Sequence, residues 1–293
     1  MRRLVLLVLL APSPLLAQSG DEKKAAIQFL TTLQRPDGGF VPAPADPAAS
    51  AAVKSSLRAT SGAVRAIKYL GGESPNKDKA LAFVKSCYQT ETGAFADTPG
   101  GKADTATTAI GLMAVAELDP GFAVDKSVKY LADNSRTFEE RRLAVAGMEA
   151  AKQFAPRVKE WLAEIEKTRN PDGTYGKGEG LVRDTGSVVA MILRSGNPVS
   201  DDHRKAVIAA LQAGQRPDGG FGKADSKTSD AETTYRVMRA FHLMTAKPKD
   251  VKRLAEFFAR HRNPDGGYGT APGQPSTVSG TYYAAIISYW LSE

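Results

Sequence analysis

Metal-holding side chains are scarce in this sequence. One cysteine and three histidines occur in 293 residues, and His203, His242 and His261 stand apart with no ligand spacing. Sites for zinc draw mainly on thiolate and imidazole, so zinc is not expected and no other cofactor suggests itself. The lone Cys87 cannot close an internal disulfide and is expected as a small apolar residue near a helix end. Alternating apolar and polar runs are nearly missing, which excludes a β-sheet core and leaves an all-α class. After the first residues no apolar run is long enough to cross a bilayer. The net charge of +7 is spread along the chain rather than gathered in a basic patch, an argument for solubility and against a nucleic-acid partner.

The N-terminus reads as an address. Arg2-Arg3 precede an apolar run over residues 4–10, Pro12 and Pro14 argue against a buried helix, and small Ala17 offers a cleavage point. Residues 1–17 are therefore expected to be a removable signal peptide, with residues 18–293 a single domain exported to the periplasm or beyond the cell.

What the chain has in place of metal ligands is a repeated turn. Gln34-Arg-Pro-Asp-Gly-Gly-Phe40, Gln215-Arg-Pro-Asp-Gly-Gly-Phe221 and Arg262-Asn-Pro-Asp-Gly-Gly-Tyr268 are near copies. Arg169-Asn-Pro-Asp-Gly-Thr-Tyr175 is weaker, and Gln89-Thr-Glu-Thr-Gly-Ala-Phe95 is worn. Recurrence at roughly 45–50 residues marks stacked supersecondary units. Proline ends the preceding helix, Asp-Gly-Gly supplies a tight reversal, and the aromatic is expected to plug the turn onto its neighbour.

Six helical hairpins follow from the periodicity: residues 21–34 with 56–70, 77–88 with 104–118, 125–132 with 138–154, 156–168 with 184–194, 201–213 with 230–245, and 248–260 with 277–291. The third pair lacks a glycine turn. First helices carry charged faces, while second helices such as the run from Thr105 to Ala116 are rich in small residues, so the second set should form an inner ring. The last helix is too apolar to cap an open array. The expected architecture is a closed α6/α6 toroid.

The glycine–aromatic turn after an amphipathic helix, as in Phe29-Leu30 followed by Gln34 and Gly38-Gly39-Phe40, resembles the repeat of the prenyltransferase and squalene-cyclase superfamily. The stretch Asp265-Gly-Gly-Tyr-Gly-Thr-Ala-Pro-Gly-Gln with Gly280-Thr-Tyr-Tyr-Ala-Ala is most similar to the last repeats of protein prenyltransferase β subunits, such as type II geranylgeranyltransferase β. The resemblance spans the mature chain, weakest around residues 119–155, and implies a toroid with a central cavity. In that family a separate α subunit can accompany the toroid; the sequence does not say whether one does here.

The family's catalytic motifs are missing. Where zinc-dependent members carry Asp-x-Cys, this chain has Ala106, Gly186 or Glu232 after the aspartate, and Thr277-Val278-Ser279 stands where a histidine would open the last helix. No Asp-x-Asp-Asp occurs, Asp201-Asp202 lacks the third acid of Asp-Asp-x-x-Asp, and Cys-Gly-Glu-Gln is absent.

Candidate chemistry therefore rests on the rim where inner helices begin, whose free N–H groups favour anions. Asp104, Asp184 and Asp230 are expected to open inner helices, either as N-caps or as catalytic acids. Glu232 lies within a turn of Asp230 and could share a cation with it. Arg183, Arg236 and Arg239 could hold a phosphate or carboxylate at the cavity mouth, or pair with those acids. Tyr235, Tyr282 and Tyr283 could line an isoprenoid pocket, whereas Tyr289 and Trp290 read as packing between the rings. Glu139-Glu140-Arg141-Arg142 reads as surface ion pairs. The favoured function is an exported binding toroid without zinc chemistry, holding an apolar, isoprenoid-like molecule or a peptide. The alternatives are a divergent prenyltransferase or cyclase-type transferase using Asp230 and Glu232, and a carbohydrate enzyme using Asp104, Asp184 and Asp230.

Overall fold

The computed structural model describes residues 18–44 and 53–293. The signal peptide expected over residues 1–17 lies outside the described residues, as does the stretch 45–52 of the Pro/Ala-rich loop.

Among the described residues twelve α-helices alternate between an outer and an inner ring. The outer set is α1 (Gly20–Thr32), α3 (Lys77–Ser86), α5 (Asp125–Asn134), α7 (Val158–Glu166), α9 (Asp201–Ala213) and α11 (Val251–Ala259). The inner set is α2 (Leu57–Tyr69), α4 (Thr105–Leu118), α6 (Phe138–Ala150), α8 (Leu181–Arg194), α10 (Ala231–Leu243) and α12 (Val278–Ser292). Each inner helix packs on the next, and α12 returns to pack on α2. The expected all-α toroid of six hairpins is what the chain forms.

The turns build the ring by reaching one unit ahead. Gly38 of the first turn lies against Lys79 on α3, and Gly219 of the fifth lies against Arg253 on α11. Gly266 of the last turn closes the circle: at φ +87°, its missing Cβ would sit 2.6 Å from the Ala25 carbonyl oxygen on α1. Only glycine tolerates that backbone and that approach together. Across the same seam the Val278 N–H donates to the Pro42 carbonyl at 2.9 Å.

The turn aromatics Phe40, Phe95, Tyr175, Phe221 and Tyr268 are all buried. Each offers its backbone N–H to a threonine one turn into the following inner helix. Thr60, Thr108, Thr185, Thr234 and Thr281 accept these bonds at 2.9–3.0 Å, and all five threonines are fully buried. In three turns the aspartate also accepts from the serine just before the inner helix: Asp37 from Ser55, Asp218 from Ser229 and Asp265 from Ser276. Buried polar groups must be paired, and here the pairing locks each corner to its helix.

Several helix ends fall short of the pattern. The worn turn forms a two-residue hairpin, β1 (Tyr88–Gln89) against β2 (Ala94–Phe95). Helix α6 stops at Ala150 because Lys152 turns to φ 55°. Cys87 is the buried C-cap of α3, and burial pushes its thiol up to about 12.

Candidate functional site

The inner helices enclose a central cavity of about 380 Å³. Its lining follows helical spacing: Arg58, Ser61, Gly62 and Arg65 on α2, Glu139, Arg142, Leu143 and Ala146 on α6, and Glu232, Tyr235, Arg236 and Arg239 on α10. Three contiguous helices supply an apolar wall through Ile110, Met113, Leu143, Ala146, Ala190 and Met191. The opposite three supply Arg65, Tyr235, Arg239, Tyr282 and Tyr283, and Arg194 reaches in from α8. A chamber with one greasy wall and one cationic, aromatic wall suits a molecule with two chemically different ends.

At the rim, where the inner helices start, cations and acids neutralise one another. Arg236 donates to Glu139 at 2.7 Å and to Glu232 at 2.6 Å, with 9% of its side chain exposed. Arg142 pairs with Glu139 at 2.9 Å, Arg183 with Glu232 at 4.0 Å, and Arg58 with Asp97 and Asp104 at 3.5 and 3.7 Å. Burial would push the Glu139 carboxyl up, yet the guanidiniums of Arg236 and Arg142 hold it down at about 2. Glu232 is lowered the same way, burial being outweighed by Arg236 and then Arg183.

Two of the three rim aspartates are spent as caps. Asp104 accepts from the Thr107 N–H at 2.6 Å and Asp230 from the Thr233 N–H at 2.8 Å. Asp184 does not open its helix as expected: α8 begins at Leu181 after a 3-10 turn over Gly178–Gly180, and its N-cap is Gly180. The register is set by Thr185, which takes the place of Thr60 and Thr234, so Asp184 lies one turn inside. Burial raises its carboxyl, Glu139 adding to the effect while Arg183 and Arg236 work against it.

Arg239 departs from its expected place. It sits deep in the cavity, not at the mouth, with its guanidinium 4.3 Å from the Trp290 ring and an N–H donating to the Tyr235 hydroxyl at 3.0 Å. Tyr235 and Tyr282 place their hydroxyls 3.4 Å apart. Tyr283 joins them, its ring 5.1 Å from that of Tyr235. Trp290 is buried, stacked on Tyr235 and His242, but Tyr289 is 40% exposed and leans on Tyr69, outside the packing expected for it.

Arg65, Arg194 and half of the Glu139–Arg142 run were not anticipated as cavity residues. Glu139 and Arg142 face inward, while Glu140 completes the capping box of α6 and Arg141 pairs with Glu164. Register counting reveals Arg65. Arg65 and Arg239 both lie nine residues after their caps, Ser56 and Asp230, so both face the same way.

The residues at the zinc positions of prenyltransferases do not fit zinc. Asp230 is committed to Thr233, Glu232 is clamped by Arg236, and among the described residues no group of three potential ligands comes together. His203 and His261 are buried and bond to the Gly173 and Phe257 carbonyls at 2.8 and 2.7 Å. No helix among the described residues is long and apolar enough to cross a membrane.

Solved structures share the architecture. The chain is similar to the type II terpene cyclase MstE from Scytonema, with 14% identity, a TM-score of 0.62, and 93% of this chain and 96% of that one covered. It is similar to Candida albicans protein geranylgeranyltransferase-I complexed with GGPP, at 12% identity and a TM-score of 0.63 over 79% and 82%. A glycosidase in complex with glucose matches at 12% identity and a TM-score of 0.57 over 93% and 95%. At these identities the likeness is one of fold. No curated protein matches in sequence. The family model of the prenyltransferase alpha-alpha toroid domain matches residues 4–150 and 141–293, and the chain belongs to that family.

Proposed function

We propose that this protein is an exported binding toroid that holds an amphiphilic small molecule with an isoprenoid-like apolar body in its central cavity, without zinc chemistry. The observation that carries the reading is the two-faced chamber of about 380 Å³, at the small end of the range for ligand sites. Ile110, Met113, Leu143, Ala146, Ala190 and Met191 offer an apolar body its wall, and aromatic faces opposite suit unsaturated carbon. Structural neighbours named for geranylgeranyl ligands fit the same class. Export rests on the leader read over residues 1–17. A transferase reading needs a reactive acid or metal at Asp230 and Glu232, and both carboxylates are engaged.

The test is equilibrium binding of two probes of equal carbon skeleton, geraniol and geranylate, to the purified chain, with metal analysis and product detection by mass spectrometry. Saturable binding of at least one probe, lost in Ala190→Phe and without product, is the expected result. Stoichiometric zinc with prenyl transfer to a thiol peptide, or failure of both probes to bind, overturns the reading.

A further inference from the structure

The cations at the rim have carboxylate partners, whereas those at the depth largely do not. Arg65, Arg194 and Arg239 converge on Tyr235, and each lowers the proton affinity of its hydroxyl. Among the described residues the one carboxylate paired with this trio is Glu149, 3.4 Å from Arg194. Arg65 meets the Met113 sulfur at 3.3 Å, the face of Tyr282 at 4.9 Å and the side chain of Tyr69, none of them a carboxylate. The Nε of Arg239 is buried without a hydrogen-bond partner, as is the Ser187 hydroxyl on the cavity wall. Burial first, and then the charge of Arg239, lowers the Arg194 guanidinium to about 10, as expected where like charges crowd together away from water.

We propose that the deep end of the cavity is an anion subsite in which Arg65, Arg194 and Arg239 hold the carboxylate or phosphate head of the ligand. This rests on the binding reading above and fixes the ligand's polarity: head at the depth, apolar body along the α4–α6–α8 wall. Guanidiniums match such heads in bidentate geometry, and uncompensated buried charge is costly until an anion arrives. Without ligand, Tyr235 is the natural counter-ion. The groups facing it are Arg65 from α2, Arg142 from α6, Arg194 from α8, Arg239 from its own helix, and Tyr282 and Tyr283 from α12. A ligand's negative charge takes over the phenolate's role, so anion binding draws a proton onto Tyr235.

The experiment compares geranylate with geraniol in the wild type, Arg239→Gln, Arg65→Gln and Arg194→Lys. Geranylate should bind more tightly than geraniol by about tenfold or more, the scale of a charge-assisted hydrogen bond. Either glutamine variant should erase that preference by weakening geranylate far more than geraniol while keeping the folded circular dichroism spectrum, and Arg194→Lys should keep part of it. Geranylate should also bleach tyrosinate absorbance in the wild type and not in Tyr235→Phe. Equal affinity for the two probes in the wild type, or equal loss of both in the glutamine variants, overturns the anion subsite while the binding toroid stands. Failure of both probes brings down the two together.

Discussion

The rim and the depth of one cavity use the same residue types to opposite ends. At the rim, Arg236 lies between two carboxylates and the Glu232–Arg236–Glu139 chain ties α10 to α6. At the depth, Arg239, one turn further along the same helix, meets rings and a phenol. A cation held between carboxylates is part of the scaffold, and one without a carboxylate partner is poised for something else. The distinction lies in the neighbours, not in the arginine.

The largest effect that sharpens this comparison comes from the outer seam that supports the rim. Gly266→Ala would place a methyl group 2.6 Å from the Ala25 carbonyl at a backbone angle suited to glycine. Strain and overpacking together should cost roughly 3 kcal/mol. Thermal unfolding should show the loss, while Gly273→Ala should lose less: it shares a positive φ but its Cβ meets nothing within 4 Å. Equal losses would mean that the ring is not locked at this seam.

Next in size is the contrast between the two arginines themselves. Removing one partner of a buried ion pair leaves the others uncompensated; because Glu139 and Glu232 are 45% and 39% exposed, solvent screening reduces the cost of Arg236→Ala to about 2 kcal/mol. Arg239→Gln should change stability by less than about 1 kcal/mol, since it also removes a charge with no carboxylate partner. The pH dependence follows from Glu139. Its folded carboxyl is held below its ordinary 4.5, at about 2, so the stabilisation is present above the ordinary value and is lost as pH falls toward the folded one. Denaturant melts between those limits should show this acid limb in the wild type and a flatter one in Glu139→Gln. A matching loss in Arg236→Ala and Arg239→Gln would erase the distinction between rim and depth.

Much of the scaffold was legible because turn chemistry is local. Proline, aspartate and glycine at fixed offsets dictate a corner whatever surrounds them, and Asp104 and Asp230 before apolar runs announced their helices as N-caps do. Asp184 misled because the same cue lies one turn inside a helix that starts early at Leu181. The cavity was less legible. An arginine in an amphipathic run reads as solvent-facing, and only the register shared by Arg65 and Arg239 turns them inward. Glu139 and Arg142 were hidden in a run whose other half, Glu140 and Arg141, is the ordinary cap and surface pair it resembles.

The finest test lies between two tyrosines whose rings are 5.1 Å apart. Burial raises Tyr283, and the charge of Glu232 at the rim adds to that rise against Arg236 and Arg142. Burial acts on Tyr235 as well, but Arg239, Arg194 and Arg65 outweigh it and bring its hydroxyl well below the usual phenol range. The neighbours therefore drive two similar groups in opposite directions. For Tyr235 the sign is that of a lowered acid: its stabilising contribution is complete above the ordinary phenol value and fades as pH falls through the folded one. A raised Tyr283 does the reverse, losing stabilisation as pH climbs past that ordinary value. An ultraviolet titration of the folded chain should therefore show one tyrosinate forming well ahead of the rest. Tyr235→Phe should delete that early step, and Tyr283→Phe should leave it in place. If the early step survives Tyr235→Phe, the guanidiniums at the depth are neutralised by something other than this phenol, and rim and depth are electrically alike.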